Sequence, residues 1–63
     1  PRREARRSLV LTRDMARGEI IRVEDIIPKR PGTGISPEFC EIVVGRKVTK
    51  DLKEDTILTW DMV

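Results

Sequence analysis

The chain has 63 residues and a formal net charge of +2, and charged and hydrophobic residues each make up 38% of it. That length allows one domain at most, and the composition is typical of a globular chain rather than a disordered one. A single cysteine and no histidine exclude an internal disulfide and a zinc site of the ordinary Cys/His type.

The basic residues concentrate at the start of the chain. The first seven residues carry one acid, Glu4, against four arginines: Arg2, Arg3, Arg6 and Arg7. We expect residues 1–7 to be a solvated linker from a preceding domain, cut from a longer protein, and residues 8–63 to be the domain itself. A nucleic-acid or membrane surface is the alternative, but no aromatic residue is interleaved for base stacking. No signal-peptide pattern and no apolar run of the ~20 residues that span a bilayer are present.

The first half of the chain predicts two strands and a loop. Residues 8–12 (SLVLT) have strand composition, and Gly18 suits a turn. Residues 23–27 predict one helical turn followed by a strand. Two prolines and two glycines within residues 28–34 then enforce a loop.

The second half begins with a helix signal, Ser36 followed by Pro37. A serine N-cap satisfies an orphan N–H, and proline at the first helical position has no N–H to lose. We expect the helix to reach about Val44 and to end at Gly45 in a left-handed conformation. Its apolar face would hold Phe39, Ile42 and Val43, with Cys40 as a buried small hydrophobe; a reactive thiol is the alternative.

The end of the chain predicts two more short strands and a closing turn. The strands are expected at residues 46–49 and 57–58. Thr59 would then cap a last turn that holds Trp60, Met62 and Val63. Together the predicted elements make a mostly β fold with short helical turns.

A sequence pattern occurs twice in the chain. Thr12-Arg13-Asp14-Met15 returns 37 positions later as Thr49-Lys50-Asp51-Leu52, and Gly18, Ile20 and Ile21 return as Asp55, Ile57 and Leu58. Two units are too few for a solenoid. The repeat predicts a compact fold with an internal pseudo-two-fold axis; coincidence between two charged turns is the alternative.

No catalytic constellation is evident from these residues. There is no histidine to act as a base. The acids lie in polar stretches beside lysine or arginine, and we expect them to be solvated surface: Asp14, Glu24, Asp25, Asp51 and Asp61. The best candidate is Arg30, which precedes a proline and a glycine-rich turn in the segment KRPGTG. Its planar guanidinium suits carboxylates, phosphates or an amide carbonyl; an ordinary surface arginine is the alternative.

Several segments resemble one family in the same order along the chain. They are RRSLV, the D-x-x-x-G-E-x-I pattern that begins at Asp14, KRPGTGISP, and VVGRKV at the end of the predicted helix. Together they resemble the C-terminal SAF (type III antifreeze-like) domain of bacterial N-acetylneuraminate synthases and of legionaminic and pseudaminic acid synthases. The resemblance covers residues 6–63, and KRPGTGISP is its most specific part. It implies a compact SAF, or β-clip, fold.

The resemblance also implies a function. In this family a barrel domain with a divalent metal, Mn or Mg, condenses phosphoenolpyruvate with an N-acetylated aminosugar in the cytoplasm. The C-terminal module of one subunit covers the active site of the other subunit in a homodimer. Arg30 would contact the N-acetyl group of the sugar, and Lys29, Pro31, Gly32, Thr33 and Gly34 would support it. The resemblance places no catalytic residue, metal ligand or cofactor in this chain, and we expect the isolated chain to be a monomer.

Two other functions fit the same fold. Type III antifreeze proteins share it, but ice binding needs a flat, mostly apolar surface, and residues 13–26 here are densely charged. A free-standing SAF-type binding or chaperone module is the second alternative, and such modules lack the KRPGTG element.

Overall fold

The computed structural model describes residues 6–63, so most of the predicted linker at residues 1–7 lies outside the described residues. Two strands, β1 (Ser8–Leu11) and β2 (Ile26–Lys29), and one short helix, α1 (Cys40–Val43), form the regular structure. Three single turns of 3₁₀ helix occur at Val23–Asp25, Pro37–Phe39 and Trp60–Met62. The prediction of a mostly β fold with short helical turns is confirmed.

The two strands form an antiparallel pair. Their register places Ser8 opposite Lys29 and Leu11 opposite Ile26. All four residues of β1 are buried, whereas only the first residue of β2 is. β1 is therefore an interior strand, and β2 lies at the surface. The loop that follows Lys29 begins in contact with solvent, since Arg30 is exposed.

The sequence repeat corresponds to a structural repeat. Met15 and Leu52 exchange both backbone hydrogen bonds with each other, each at 2.8 Å, so they lie where the two halves meet. A β-bridge joins Val10 to Ile57, and an equivalent bridge joins Lys47 to Ile20. Val10 and Lys47 are 37 positions apart, as are Ile20 and Ile57. The predicted pseudo-two-fold is thus confirmed, and coincidence is excluded.

Side chains obey the same symmetry. The Thr12 hydroxyl donates to the carbonyl of Glu24 at 2.9 Å, and the Thr49 hydroxyl donates to that of Asp61 at 2.7 Å. Asp14 and Asp51 each accept a backbone N–H from the opposite half: from Glu54 and Arg17, respectively, both at 2.8 Å. These acids are exposed as expected, but they also hold the two halves together.

Two predicted strands are reduced in the structure. Residues 46–49 and 57–58 make one isolated bridge each, through Lys47 and Ile57. The pairing beside each bridge is short: the Val48 N–H donates to Glu19 next to the first bridge, and the Leu58 N–H donates to Leu9 next to the second. The Arg46 N–H donates back to Val43 at the end of α1 instead of extending the first pairing. The turn after Thr59 is present, although the Thr59 hydroxyl caps no backbone group and bonds to the Asp61 carboxylate instead.

The helix signal at Ser36 is correct in place and wrong in detail. A 3₁₀ turn begins at Pro37 and leads directly into α1, but the Ser36 hydroxyl makes no capping hydrogen bond. Gly45 ends the helix with φ of +97°, as predicted. Ile42 is 53% exposed and so does not belong to the apolar face; Val43 is the buried residue of α1, which makes little more than one turn.

The core is assembled from both halves of the repeat and from α1. Its fully buried members include the equivalent residues Ile21 and Leu58, with Val43 from the helix. Cys40 is half-buried and packs against this core, which partly matches the expectation of a buried small hydrophobe.

Asp25 corrects the prediction that all the acids are solvated. It is 3% exposed, and Arg13 grips it with two guanidinium hydrogen bonds, of 2.9 and 3.4 Å. The backbone N–H of Arg22 donates to the same carboxylate at 3.0 Å. Hydrogen bonding from Arg13 lowers the pKa of Asp25, in opposition to its burial. A buried charge with these partners joins the start of β2 to the turn after β1.

Candidate functional site

The KRPGTG segment forms an exposed loop at the end of β2. Arg30 is the first residue beyond the strand, it is exposed, and the Arg30–Pro31 peptide bond is cis. Within residues 6–63, Arg30 forms no ion pair and no side-chain hydrogen bond. Its guanidinium is therefore presented to solvent from a loop that adjoins a strand.

The neighbouring cation differs from Arg30. Lys29 lies within β2, and its ammonium group pairs with Asp55 at 3.2 Å. Asp55 belongs to the opposite half of the repeat, so Lys29 links β2 to that half. Of these two adjacent cations, Lys29 has a side-chain partner within residues 6–63 and Arg30 has none there.

The backbone of the loop is anchored by Ser8. The Ser8 hydroxyl donates a hydrogen bond of 2.6 Å to the carbonyl of Pro31 and accepts one of 2.9 Å from the N–H of Gly34. The side chain of Ser8 is fully buried. Just beyond the loop, the Ile35 carbonyl accepts a hydrogen bond from the Leu9 N–H at 2.8 Å, and the Ile35 N–H donates to the Leu58 carbonyl at 2.9 Å. The loop is thus fixed on the side that follows Arg30.

Both glycines of the loop are required by close packing. A Cβ atom at Gly34 would meet the carbonyl oxygen of Leu58, and one at Gly32 would meet the side chain of Arg6. Neither position has the space for a side chain, because the obstacles are a backbone oxygen at Gly34 and the Cβ and backbone atoms of Arg6 at Gly32, which no rotamer change moves. Thr33 stands between them and is exposed. The glycines serve close approach here, whereas the sequence suggested only a sharp turn.

An open depression lies beside the loop. Its walls are Gly32 and Gly34, the helix start at Ser36, Pro37 and Glu38, and the side chains of Arg6 and Arg7. Both arginines lie in the segment predicted to be a linker. The signal that could have found them, and Ser8, was the segment RRSLV, which resembles the family but was given no role.

The other polar clusters within the described residues do not form a metal centre. A second, shallower depression is lined by Asp14, Glu19 and Asp51, among others. The carboxylates of all three accept backbone N–H groups. Within residues 6–63 no group of three or more Cys, Asp or Glu side chains is arranged to hold a metal ion. No helix in the same residues has the length and apolar character that crossing a membrane requires.

The chain is similar in sequence to one protein family and to several known proteins. A family model described as the SAF domain matches residues 6–63. An N,N'-diacetyllegionaminic acid synthase of Legionella pneumophila is 41% identical over 58 residues, which are 92% of this chain and 16% of that protein. A pseudaminic acid synthase of Helicobacter pylori is 37% identical over 60 residues, 95% of this chain and 18% of that protein. The chain therefore spans less than a fifth of the length of these relatives.

Two further matches extend the comparison. An uncharacterized protein of Methanocaldococcus jannaschii is 45% identical over 58 residues, 92% of this chain and 17% of that protein. The solution structure of an antifreeze protein like domain in the human N-acetylneuraminic acid phosphate synthase gene superposes with a TM-score of 0.88. That match covers 95% of this chain and 77% of the other at 24% identity, so it shows the fold alone. It confirms the antifreeze-like fold predicted from the sequence.

Proposed function

Because the chain belongs to the SAF domain family, we propose that it is the substrate-capping module of a sialic-acid-synthase-type enzyme. In this proposal the whole enzyme condenses phosphoenolpyruvate with an N-acetylated aminosugar. The chain supplies no reacting group. It supplies Arg30, whose guanidinium donates hydrogen bonds to the N-acetyl group of the sugar in the active site of a partner subunit.

The presentation of Arg30 carries this proposal. An exposed guanidinium, unpaired within residues 6–63, stands at the end of β2 on a loop whose far side is held by Ser8 and Ile35. Ordering a long cationic side chain on binding costs conformational entropy. Because the backbone beside Arg30 is already held, only the side chain itself has to be ordered. Such a group orients a polar substrate more effectively than one on a mobile segment.

The relatives support the sugar-acid context. Two of them are synthases of legionaminic and pseudaminic acids, and each matches more than nine-tenths of this chain. Because the chain spans less than a fifth of these relatives, the proposal assigns the condensation to the rest of the whole protein and a capping role to this chain. We place the divalent metal, the phosphoenolpyruvate site and the dimer contacts in a barrel domain of the whole protein, in the cytoplasm.

The test is the steady-state kinetics of the full-length protein with Arg30→Ala. Loss of charge-assisted hydrogen bonds costs about 1.5–3 kcal/mol, so kcat/KM for the aminosugar is expected to fall about tenfold or more. The KM for phosphoenolpyruvate is expected to change little. Lys29→Ala is the matched control, because it removes the adjacent cation, which already has a partner in Asp55. Equal effects of the two substitutions would contradict the proposal.

A further inference from the structure

Ser8 stands out among the buried residues because it is polar and has no exposed area. Burying a hydroxyl is unfavourable unless its hydrogen bonds are made. The Ser8 hydroxyl makes two, to the carbonyl of Pro31 and from the N–H of Gly34. Both partners belong to the loop that begins at Arg30, although they lie 23 and 26 positions from Ser8 in the sequence.

The two partners have a particular relation to each other. The carbonyl of a residue and the N–H three positions later are the groups that close a β-turn. Pro31 and Gly34 are such a pair, and the Ser8 hydroxyl bonds to both of them. The hydroxyl thus bridges the two ends of this turn, residues 31–34, and ties it to β1.

We propose that Ser8 is a positioning residue, which holds the 31–34 turn so that Arg30 is aimed at the substrate; this inference rests on the proposed function. Ser8 is opposite Lys29 in the register of β1 and β2. Lys29 and Pro31 are the two neighbours of Arg30. The backbone on both sides of Arg30 is therefore held by the same residue of β1, through the strand pairing on one side and through the hydroxyl on the other.

The chemistry required of residue 8 is narrow. The group must donate to a carbonyl and accept from an N–H at once, which a hydroxyl does and a methyl does not. Ser8→Ala removes the hydrogen bonds to the Pro31 carbonyl and from the Gly34 N–H, in a site that water reaches poorly. We expect the turn to move toward solvent, because its unpaired groups gain hydrogen bonds to water there. A displacement of about 1 Å in a positioning group lowers a rate by as much as 100-fold. We expect at least a fivefold loss in kcat/KM for the aminosugar.

The experiment is a double-mutant cycle on the full-length protein with Ser8→Ala, Arg30→Ala and both together. If Ser8 acts through Arg30, Ser8→Ala lowers kcat/KM in the parent protein but changes it less than twofold in the Arg30→Ala background. Thr12→Ala is the matched control. It removes a hydroxyl that donates to a backbone carbonyl from the segment after β1, far from the loop, and it is expected to leave kcat/KM within twofold.

The outcomes separate this inference from the proposed function. If Arg30→Ala has no effect, the proposed function fails. If Arg30→Ala is impaired and Ser8→Ala is not, or if their losses multiply independently, the positioning role of Ser8 is contradicted. Should Ser8→Ala fail to fold, the same cycle and the same criteria apply to Ser8→Cys, which fills the site but donates and accepts weakly.

Discussion

Met15 and Leu52 are each other's equivalents in the sequence repeat, and they exchange both of their backbone hydrogen bonds at 2.8 Å. A residue that pairs with its own equivalent lies at the pseudo-two-fold axis. The hydrogen bonds on either side occur twice: the Ile21 N–H donates to Arg46, and the Leu58 N–H donates to Leu9. The two halves thus share equivalent backbone hydrogen bonds, and we expect substitutions at equivalent positions to have comparable consequences.

The first prediction concerns the equivalent core residues Ile21 and Leu58, both fully buried. Truncating either one to alanine is expected to lower the free energy of unfolding by about 2–5 kcal/mol. This is a large part of the stability of a domain this small. Urea unfolding followed by the fluorescence of Trp60 measures both, with Thr33→Ala as an exposed control. A loss below 1 kcal/mol at only one of the two sites would contradict the symmetry argument.

The second prediction uses the equivalent turn residues Gly18 and Asp55, which have φ of +91° and +69°. Nothing lies within 4 Å of a Cβ at Gly18, so conformation alone decides the cost there. Aspartate tolerates this region better than a β-branched residue does. Gly18→Asp is expected to cost under about 1 kcal/mol, and Gly18→Val about 1–2 kcal/mol or more. Thermal unfolding of both variants measures the difference, and equal costs would oppose the equivalence of the two turns.

The third prediction concerns the pH dependence of stability. Hydrogen bonding from Arg13 lowers the pKa of Asp25 in the folded chain. The carboxylate therefore stabilises the fold above the unfolded-state pKa of ~3.9, and this contribution is lost as the pH falls through the lower folded-state pKa. Asp25→Asn is expected to be less stable at pH 7 and to lose less stability on acidification. Urea unfolding between pH 7 and pH 2 tests this, and parallel pH profiles for the two proteins would refute it.

The fourth prediction separates the loop glycine from the loop threonine. Gly34→Ala introduces a Cβ against the carbonyl of Leu58, so the loop backbone has to shift and the hydrogen bond to Ser8 is strained. We expect a destabilisation of about 1–3 kcal/mol and a loss of aminosugar kcat/KM in the full-length protein. Thr33→Ala, one residue away and exposed, is expected to stay within about 0.5 kcal/mol. An unaffected Gly34→Ala would show that the loop is not held against Leu58.

The fifth prediction concerns ice binding, which the antifreeze-like fold raises. The segment from Arg13 to Ile26 presents exposed charges such as Arg13 and Asp14, and its exposed apolar residues, Ile20 and Val23, stand among them. Charged side chains hold a liquid-like hydration layer. The chain is expected to show no thermal hysteresis above the buffer baseline in a nanolitre osmometer, and a clear hysteresis gap would contradict this.

The sequence predicted the fold to a useful degree where a local signal sufficed. Composition and spacing predicted three features correctly: Val43 as a core residue, Gly45 as the end of the helix, and the repeat that begins at Thr12. The burial of Asp25 was not predicted, because its partner Arg13 is twelve residues away in the sequence. An acid close to basic residues in sequence is usually a solvated surface residue. The reduced strands at residues 46–49 and 57–58 depend on which backbone groups each segment meets in space.

The residues of the candidate site also differ in how far the sequence could predict them. Arg30 stays a prediction that rests on the proline and two glycines that follow it in sequence. Ser8 was missed as part of the site, because its contacts with Pro31 and Gly34 span more than twenty residues and no pattern encodes them. The pairing of Lys29 with Asp55, which distinguishes it from Arg30 within residues 6–63, likewise required the structure.

The central claim is that Arg30 acts in the active site of a partner subunit, and subunit mixing tests it most directly. A full-length subunit with Arg30→Ala is combined with one whose barrel is inactivated but whose Arg30 is intact. Each hybrid dimer then has one intact barrel facing an intact Arg30. Random pairing makes half of the dimers hybrids, so about a quarter of the wild-type activity is expected to return. No recovery above the two separate variants, in dimers shown to have exchanged subunits, would contradict the account.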